Sequence, residues 1–221
     1  MKKLLLIISL IVWAYNIIAQ EGIPRSELPR PPFERQEWLN LNGMWSFTFD
    51  FSKSGKSRKL YQSKGFDQTI LVPFCPESKL SGVEYKDFIP AMWYHRTIQI
   101  PESWNGKRIL LHFGAIDYFA DIYIDGKKAG SHWGGSSSFT LDITSMVTEG
   151  KTHDLVVLAE DDVRSGLQTG GKQSGKYGSY ECYYTRVTGI WQTVWMEAVD
   201  KYGLKQAYIC LFYTSYTADK L

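Results

Sequence analysis

Past its first twenty residues, short apolar runs of strand length recur along the chain. Residues 44–51 set Trp45, Phe47 and Phe49 at every second position, the period that turns one face of a strand to a core and the other to solvent. Similar short runs follow at 69–72, 93–100, 108–113, 119–124, 138–143, 153–159 and 190–198. Each is strand-sized, and several are stopped by a breaker, as at Pro73 and Pro101. No long apolar stretch of helical period appears among them, so the pattern predicts an all-β sandwich rather than a fold of alternating strands and helices. Two dipeptides punctuate it. Asn105-Gly106 joins the runs at 93–100 and 108–113 and predicts antiparallel pairing there. Asp125-Gly126 turns the chain after Ile124. Both tolerate the positive φ of a tight turn.

Two segments break the rhythm. Residues 21–37 are polar and carry Pro24, Pro29, Pro31 and Pro32, which predicts an extended lead-in. Residues 161–189 are rich in Gly, Ser, Tyr, Gln and Lys. A loop that long inside a domain is either functional or disordered. Ahead of everything, Lys2 and Lys3 precede an apolar stretch from Leu4 to Ala14, and Ala19 stands near a polar start at Gln20-Glu21. That is the order of a signal peptide over 1–20, and it points to a periplasmic or secreted protein with no membrane attachment after cleavage. An uncleaved anchor is the alternative.

Composition narrows the function classes. Hydrophobic residues make up 44% of the 221-residue chain, enough for a core. Eight Trp and fourteen Tyr suit pleated strands, and equally suit rings that cover a sugar face. The net charge of +2 and the absence of a long basic run give no footprint for nucleic acid. Cys75, Cys182 and Cys210 have neither disulfide-framework nor zinc-ligand spacing and read as separate thiols, with one bridge among them the alternative in an oxidising compartment; neither a metal nor a cofactor is expected.

Candidate chemistry is sparse. Residues 170–176 (Gly-Gly-Lys-Gln-Ser-Gly-Lys) come near a phosphate-binding loop, but Tyr177 stands where the hydroxyl is needed and no strand–loop–helix context surrounds it. Asp161-Asp162 reads as a solvated loop pair, and nothing places two carboxylates across a glycosidic bond. The four histidines are scattered, and His112 reads as a strand residue with a local hydrogen bond.

A set of motifs in order then adds a family. Trp38-Leu39-Asn40-Leu41-Asn42-Gly43-Met44-Trp45, the loop 72–78 (Val-Pro-Phe-Cys-Pro-Glu-Ser), Trp93-Tyr94-His95-Arg96-Thr97, the stretch from Phe113 to Lys127, the His132-Trp133-Gly134-Gly135 turn and Tyr184-Thr185-Arg186-Val187-Thr188-Gly189-Ile190-Trp191 together resemble the N-terminal sugar-binding domain of glycoside hydrolase family 2. The resemblance covers residues 38–200. It implies a jelly-roll β-sandwich, galactose-binding-domain-like, that packs on an immunoglobulin-like domain and a (β/α)8 barrel in β-galactosidases, β-glucuronidases and β-mannosidases. The catalytic glutamates of that family lie on the barrel, so no catalytic residue is expected in this stretch and no turnover by the chain alone. Residues 201–221 stand where the next domain would begin, which suggests a truncated, frame-disrupted or deliberately short product.

The resemblance also supplies site candidates. The family places a carboxylate six residues before the Gly of the Gly-Ile pair, where this sequence has Tyr183; the nearest acid is Glu181. Tyr183 stacks on a sugar, caps the site, or is an inward-facing strand residue. Arg186 is expected to support the site, and Lys172 and Gln173 to touch a neighbouring domain or a β-glycoside. A free-standing carbohydrate-binding module is the competing reading, with Trp133, Tyr177, Tyr180 and Tyr183 as its exposed platform.

Overall fold

The computed structural model describes residues 22–27, 29, 31 and 35–204. Residues 1–21, where a signal peptide is expected, residues 28, 30 and 32–34 of the proline-rich lead-in, and residues 205–221 with Cys210 lie outside the described residues.

Twelve strands follow one another: β1 (Trp38–Asn40), β2 (Gly43–Phe49), β3 (Gln68–Val72), β4 (Ala91–Gln99), β5 (Arg108–Phe113), β6 (Ile116–Asp117), β7 (Phe119–Ile124), β8 (Lys127–Trp133), β9 (Phe139–Asp142), β10 (Thr152–Glu160), β11 (Gly189–Ile190) and β12 (Val194–Val199). The described residues otherwise contain one-turn 3₁₀ helices, as at Glu102–Trp104. Two antiparallel sheets result, one of order β3-β2-β4-β10-β7-β8 and one of order β1-β12-β5-β9, with β11 and β6 as a separate two-stranded pair.

Alternation places the core between the sheets. Met92, Tyr94 and Ile98 of β4, Leu155, Val157 and Ala159 of β10, Ile109, Leu111 and Phe113 of β5, and Val194, Met196 and Ala198 of β12 all enter one buried cluster. The opposite faces of β4 and β10 are buried too. Trp93, Val156 and Leu158 join Tyr123 in a second cluster covered by Leu60, Tyr61 and Phe66. This is why residues 155–159 read as a continuous apolar run: a strand covered on both faces needs apolar side chains at both parities. Asp50 fixes the cover, accepting from the Trp93 indole at 3.1 Å and from the amides of Ser54 and Gly55.

The Asp125-Gly126 turn closes the β7–β8 hairpin, with Ile124 opposite Lys127, and both turn residues have positive φ, 48° and 76°. The β8 strand itself carries few apolar residues and sits at the sheet edge, so the run-based reading passed over it. Asn105-Gly106 behaves differently from expectation. β4 and β5 lie in different sheets, and the dipeptide follows a 3₁₀ turn that carries the chain across the sandwich edge, closed by the Lys107 amide to the Trp104 carbonyl at 3.0 Å. A positive-φ glycine permits a sharp turn but does not choose the partner strand. The expected strand at 190–198 is likewise two pieces, β11 and β12, interrupted at Trp191–Thr193.

Candidate functional site

Residues 161–188 connect β10 to β11 without a regular strand or helix, and the ends of the connection are held by buried polar groups. At the start, Asp161 is buried while Asp162 is exposed, so the pair is not simply solvated. The Asp161 carboxylate accepts from Gln168 Nε2 at 2.6 Å and from Thr188 Oγ1 at 3.1 Å, tying the beginning of the loop to its end. The Thr188 amide donates to Glu77 Oε2 at 3.2 Å. The Ile190 amide donates to the buried Tyr94 hydroxyl at 3.2 Å. Gly189 sits opposite Asp117 in the β11–β6 pair.

Gln173 and Arg186 belong to this root. Gln173 donates from Nε2 to Asp117 Oδ2 at 2.7 Å and accepts the Val187 amide on Oε1 at 2.8 Å. Arg186 is buried, and its guanidinium donates to the carbonyls of Ser174, Lys176, Tyr177 and Lys86. It also stacks 4.1 Å from the Phe88 ring centroid. A planar fork with several fixed donors can satisfy that many loop carbonyls at once. The near phosphate-loop sequence serves a turn of its own: the buried Ser174 hydroxyl accepts the Lys176 amide and donates to the Gly178 carbonyl at 2.7 Å.

The remaining candidates lie farther out on the loop. Tyr183 is not in a strand. It is half-buried, bridges to Tyr180 in an antiparallel pair and stacks on that ring at 5.0 Å. Glu181 is exposed at the turn between them, with φ of 49°. Lys172 is exposed, and its carbonyl accepts the Tyr184 amide at 3.0 Å. The structure therefore divides the five candidates between a buried root (Gln173, Arg186) and an outer part (Lys172, Glu181, Tyr183).

The sequence reading missed three root residues, Glu77, Asp117 and Thr188. Each was visible only as part of a longer motif, because a lone acid or threonine in a short run carries no sign of burial. Gly135 explains part of how Asp117 fits. A Cβ at Gly135 would lie 2.3 Å from Asp117 Oδ1, so only glycine lets that carboxyl approach the turn. Burial pushes Asp117 up to about 7, with the neighbouring Asp161 adding to the effect. Burial also pushes Glu77 to about 7, against the Thr188 hydrogen bonds that favour its charge, and raises Asp161. The Cys75 thiol beside Glu77 is driven by burial to about 12 and stays neutral. Among the described residues no group of three or more His, Cys, Asp or Glu is arranged to hold a metal ion.

Beside the loop's first residues runs an open groove of about 390 Å3. Trp133, 64% exposed, forms one wall, with Phe119 4.8 Å away, and Leu167, Gln168, Glu160 and Asp162 also line it. Its ammonium groups are already paired: Lys53 with Glu160, and Lys56 with Asp121 and Glu160. Tyr177, Tyr180 and Tyr183 do not line this groove, so the four aromatics expected to form one platform do not share it.

Comparison with known proteins agrees with this architecture. Residues 38–196 match the model of the glycosyl hydrolases family 2 sugar binding domain. A β-glucuronidase from Felis catus is 28% identical over 152 residues, 63% of this chain and 22% of the relative. A β-glucuronidase from Bacteroides fragilis is 30% identical over 58% of this chain and 17% of its own length. A β-galactosidase from Thermoanaerobacter pseudethanolicus is 24% identical over 78% and 21%. The chain thus spans about a fifth of the length of the curated relatives it matches. A Ruminococcus gnavus β-glucuronidase structure superposes on 77% of the chain and 29% of its own, with a TM-score of 0.61 at 22% identity, a likeness of fold. The motif order, the two-sheet sandwich and the family match converge: this chain belongs to the sugar-binding-domain family of the family 2 glycosyl hydrolases.

Proposed function

We propose that the chain acts as the sugar-binding module of a periplasmic or secreted family 2 glycoside hydrolase of β-glucuronidase or β-galactosidase type. In this reading residues 161–189 form part of the rim of a β-glycoside site, and hydrolysis falls to catalytic carboxylates on a barrel domain. The observation that carries it is the division of the loop. Arg186, Gln173 and Thr188 hold its root among buried partners, which leaves Lys172, Glu181 and Tyr183 displayed on an anchored backbone. A binding rim requires that arrangement, because a freely moving loop would lose its ordering entropy on every encounter. The family resemblance implies an immunoglobulin-like domain and a barrel as its packing partners. The groove at Trp133 favours a second reading, a free-standing carbohydrate-binding module, since an exposed indole beside hydrogen-bonding side chains suits a pyranose face.

One titration tests both. Two-dimensional NMR of the chain with methyl β-D-glucuronide and methyl β-D-galactoside is expected to show weak saturable shifts in residues 172–184. Tyr183→Ala should weaken binding at least about threefold, a change of about 0.7 kcal/mol. Shifts centred on Trp133 and abolished by Trp133→Ala would favour the second reading. No saturable shift at millimolar sugar would defeat both. The chain alone is expected to release no aglycone from aryl β-glycosides.

A further inference from the structure

The root of the loop concentrates acidic groups beyond what its buried cation can balance. Glu77, Asp117 and Asp161 are 4%, 5% and 6% exposed. Among the described residues Arg186 is the one buried Lys or Arg, and its guanidinium donates to loop carbonyls. Two of the carboxyl oxygens, Glu77 Oε1 and Asp117 Oδ1, are buried without any hydrogen-bond partner. A neutral acid tolerates such an oxygen far better than a carboxylate, whose charge needs solvation or a donor. The other oxygens of these groups hold the loop directly, through Gln173, Thr188 and Gln168.

We propose that residues 161–189 are a proton-controlled loop, held closed while Glu77 and Asp117 are protonated and loosened when both ionise inside the root. Groups on every packed element are consistent with this. Cys75 and Tyr94 face Glu77 and both remain neutral, their protons retained by burial. Asp117 faces Glu77 and Asp161, and its near partner Gln173 is uncharged. Asp161 faces Asp162, which opposes its charge, and Arg186, which favours it. Outside, Lys53 and Lys56 are drawn to Glu160 and Asp121. When the loop opens, the acids meet water and regain ordinary carboxylate values near about 4. The closed form therefore holds protons that the open form releases. Closure is strongest below about pH 4, weakens as pH rises toward about 7, and levels off above that. If the loop is the rim of a sugar site, as proposed above, sugar contact by its outer residues weakens over the same interval.

Hydrogen exchange on the full chain, without sugar, tests this separately from the binding proposal. The amides of Ser174, Tyr184, Val187 and Thr188 are the reporters, since each closes a hydrogen bond within the root or loop. After correction for intrinsic exchange rates, their protection is expected to fall at least about tenfold between pH 5 and pH 8, one pKa unit of linkage. It should also be insensitive to sub-denaturing guanidinium, the mark of local opening. The double variant Glu77→Gln, Asp117→Asn should flatten the pH dependence. Protection that does not change with pH in the wild-type chain overturns the proposal. So does an undiminished pH dependence in the double variant, or exchange of these amides only through global unfolding. The wild-type series decides alone if the variants fail to fold. A positive exchange result with no sugar binding leaves the proton control standing and removes only the rim.

Discussion

Arg186 shows how much one side chain can carry here. Its guanidinium serves four carbonyls from two segments and stacks on Phe88. Arg186→Ala would leave those carbonyls short of donors in a buried place and is expected to cost about 2–4 kcal/mol in urea denaturation. Arg186→Lys should recover little, because a single ammonium cannot reach the four acceptors of a planar fork. The sequence motif marked this arginine as support. It could not show what it supports, since its acceptors are backbone atoms, invisible to residue identity. Asp161 illustrates the opposite error. Beside Asp162 it looks like a solvent-facing pair, and only the structure shows it buried, with Thr188 and Gln168 returning to its carboxylate.

At the scale of elements, the junction of β11 with β4 sets where the loop ends. Gly189 has φ of 73°, and a Cβ there would lie 2.1 Å from the Tyr94 hydroxyl. Gly189→Ala therefore meets both backbone strain and a collision, and should destabilise by about 2 kcal/mol or more. Tyr94→Phe alone removes the acceptor of the Ile190 amide and should cost about 1 kcal/mol. The double variant relieves part of the collision, so its loss should be smaller than the sum, by at least about 0.5 kcal/mol in a thermal or urea double-mutant cycle. Strict additivity would show that Gly189 is needed for its φ alone. The same scale explains the misplaced hairpin. Strands β4 and β5 each send an alternating set into the core, Met92 and Tyr94 from one and Ile109, Leu111 and Phe113 from the other, yet such a set states only that a face is buried, and both sheets bury one.

For the whole molecule, two sets of acids pull stability in opposite directions with pH. Asp121 resists ionisation through burial but is held below the ordinary range by Lys128, Lys56 and Ser131. Burial likewise opposes the charge on Asp50, which Trp93 and the Gly55 and Ser54 amides more than offset. Groups with depressed values contribute stability above about pH 4 that is lost as pH falls further. Glu77 and Asp117 are raised to about 7, so their contribution is complete below about pH 4 and disappears as pH climbs toward about 7; burial raises Asp161 as well, which adds in the same direction. The melting temperature should then peak near about pH 5 and be at least about 2 °C lower at pH 8, a change worth up to about 1 kcal/mol for a chain of this size. Differential scanning fluorimetry across pH 3–9 reads this directly. A maximum at neutral pH would mean that the root carboxyls find partners when ionised.

Periodicity and breakers alone determined that this protein is a β-sandwich of short strands, since strand burial on one face forces alternation and turns demand glycine or proline. The motif order alone pointed to the family. The pairing of strands across the two sheets, the split of β11 from β12 and the burial of an acidic root beneath residues 161–189 were decided only by the tertiary structure. The physical reason is the same in each case. Partner choice and solvent exposure are properties of groups far apart in the chain, as Glu77, Asp117 and Thr188 are, and local sequence records what a residue can do rather than which neighbours surround it.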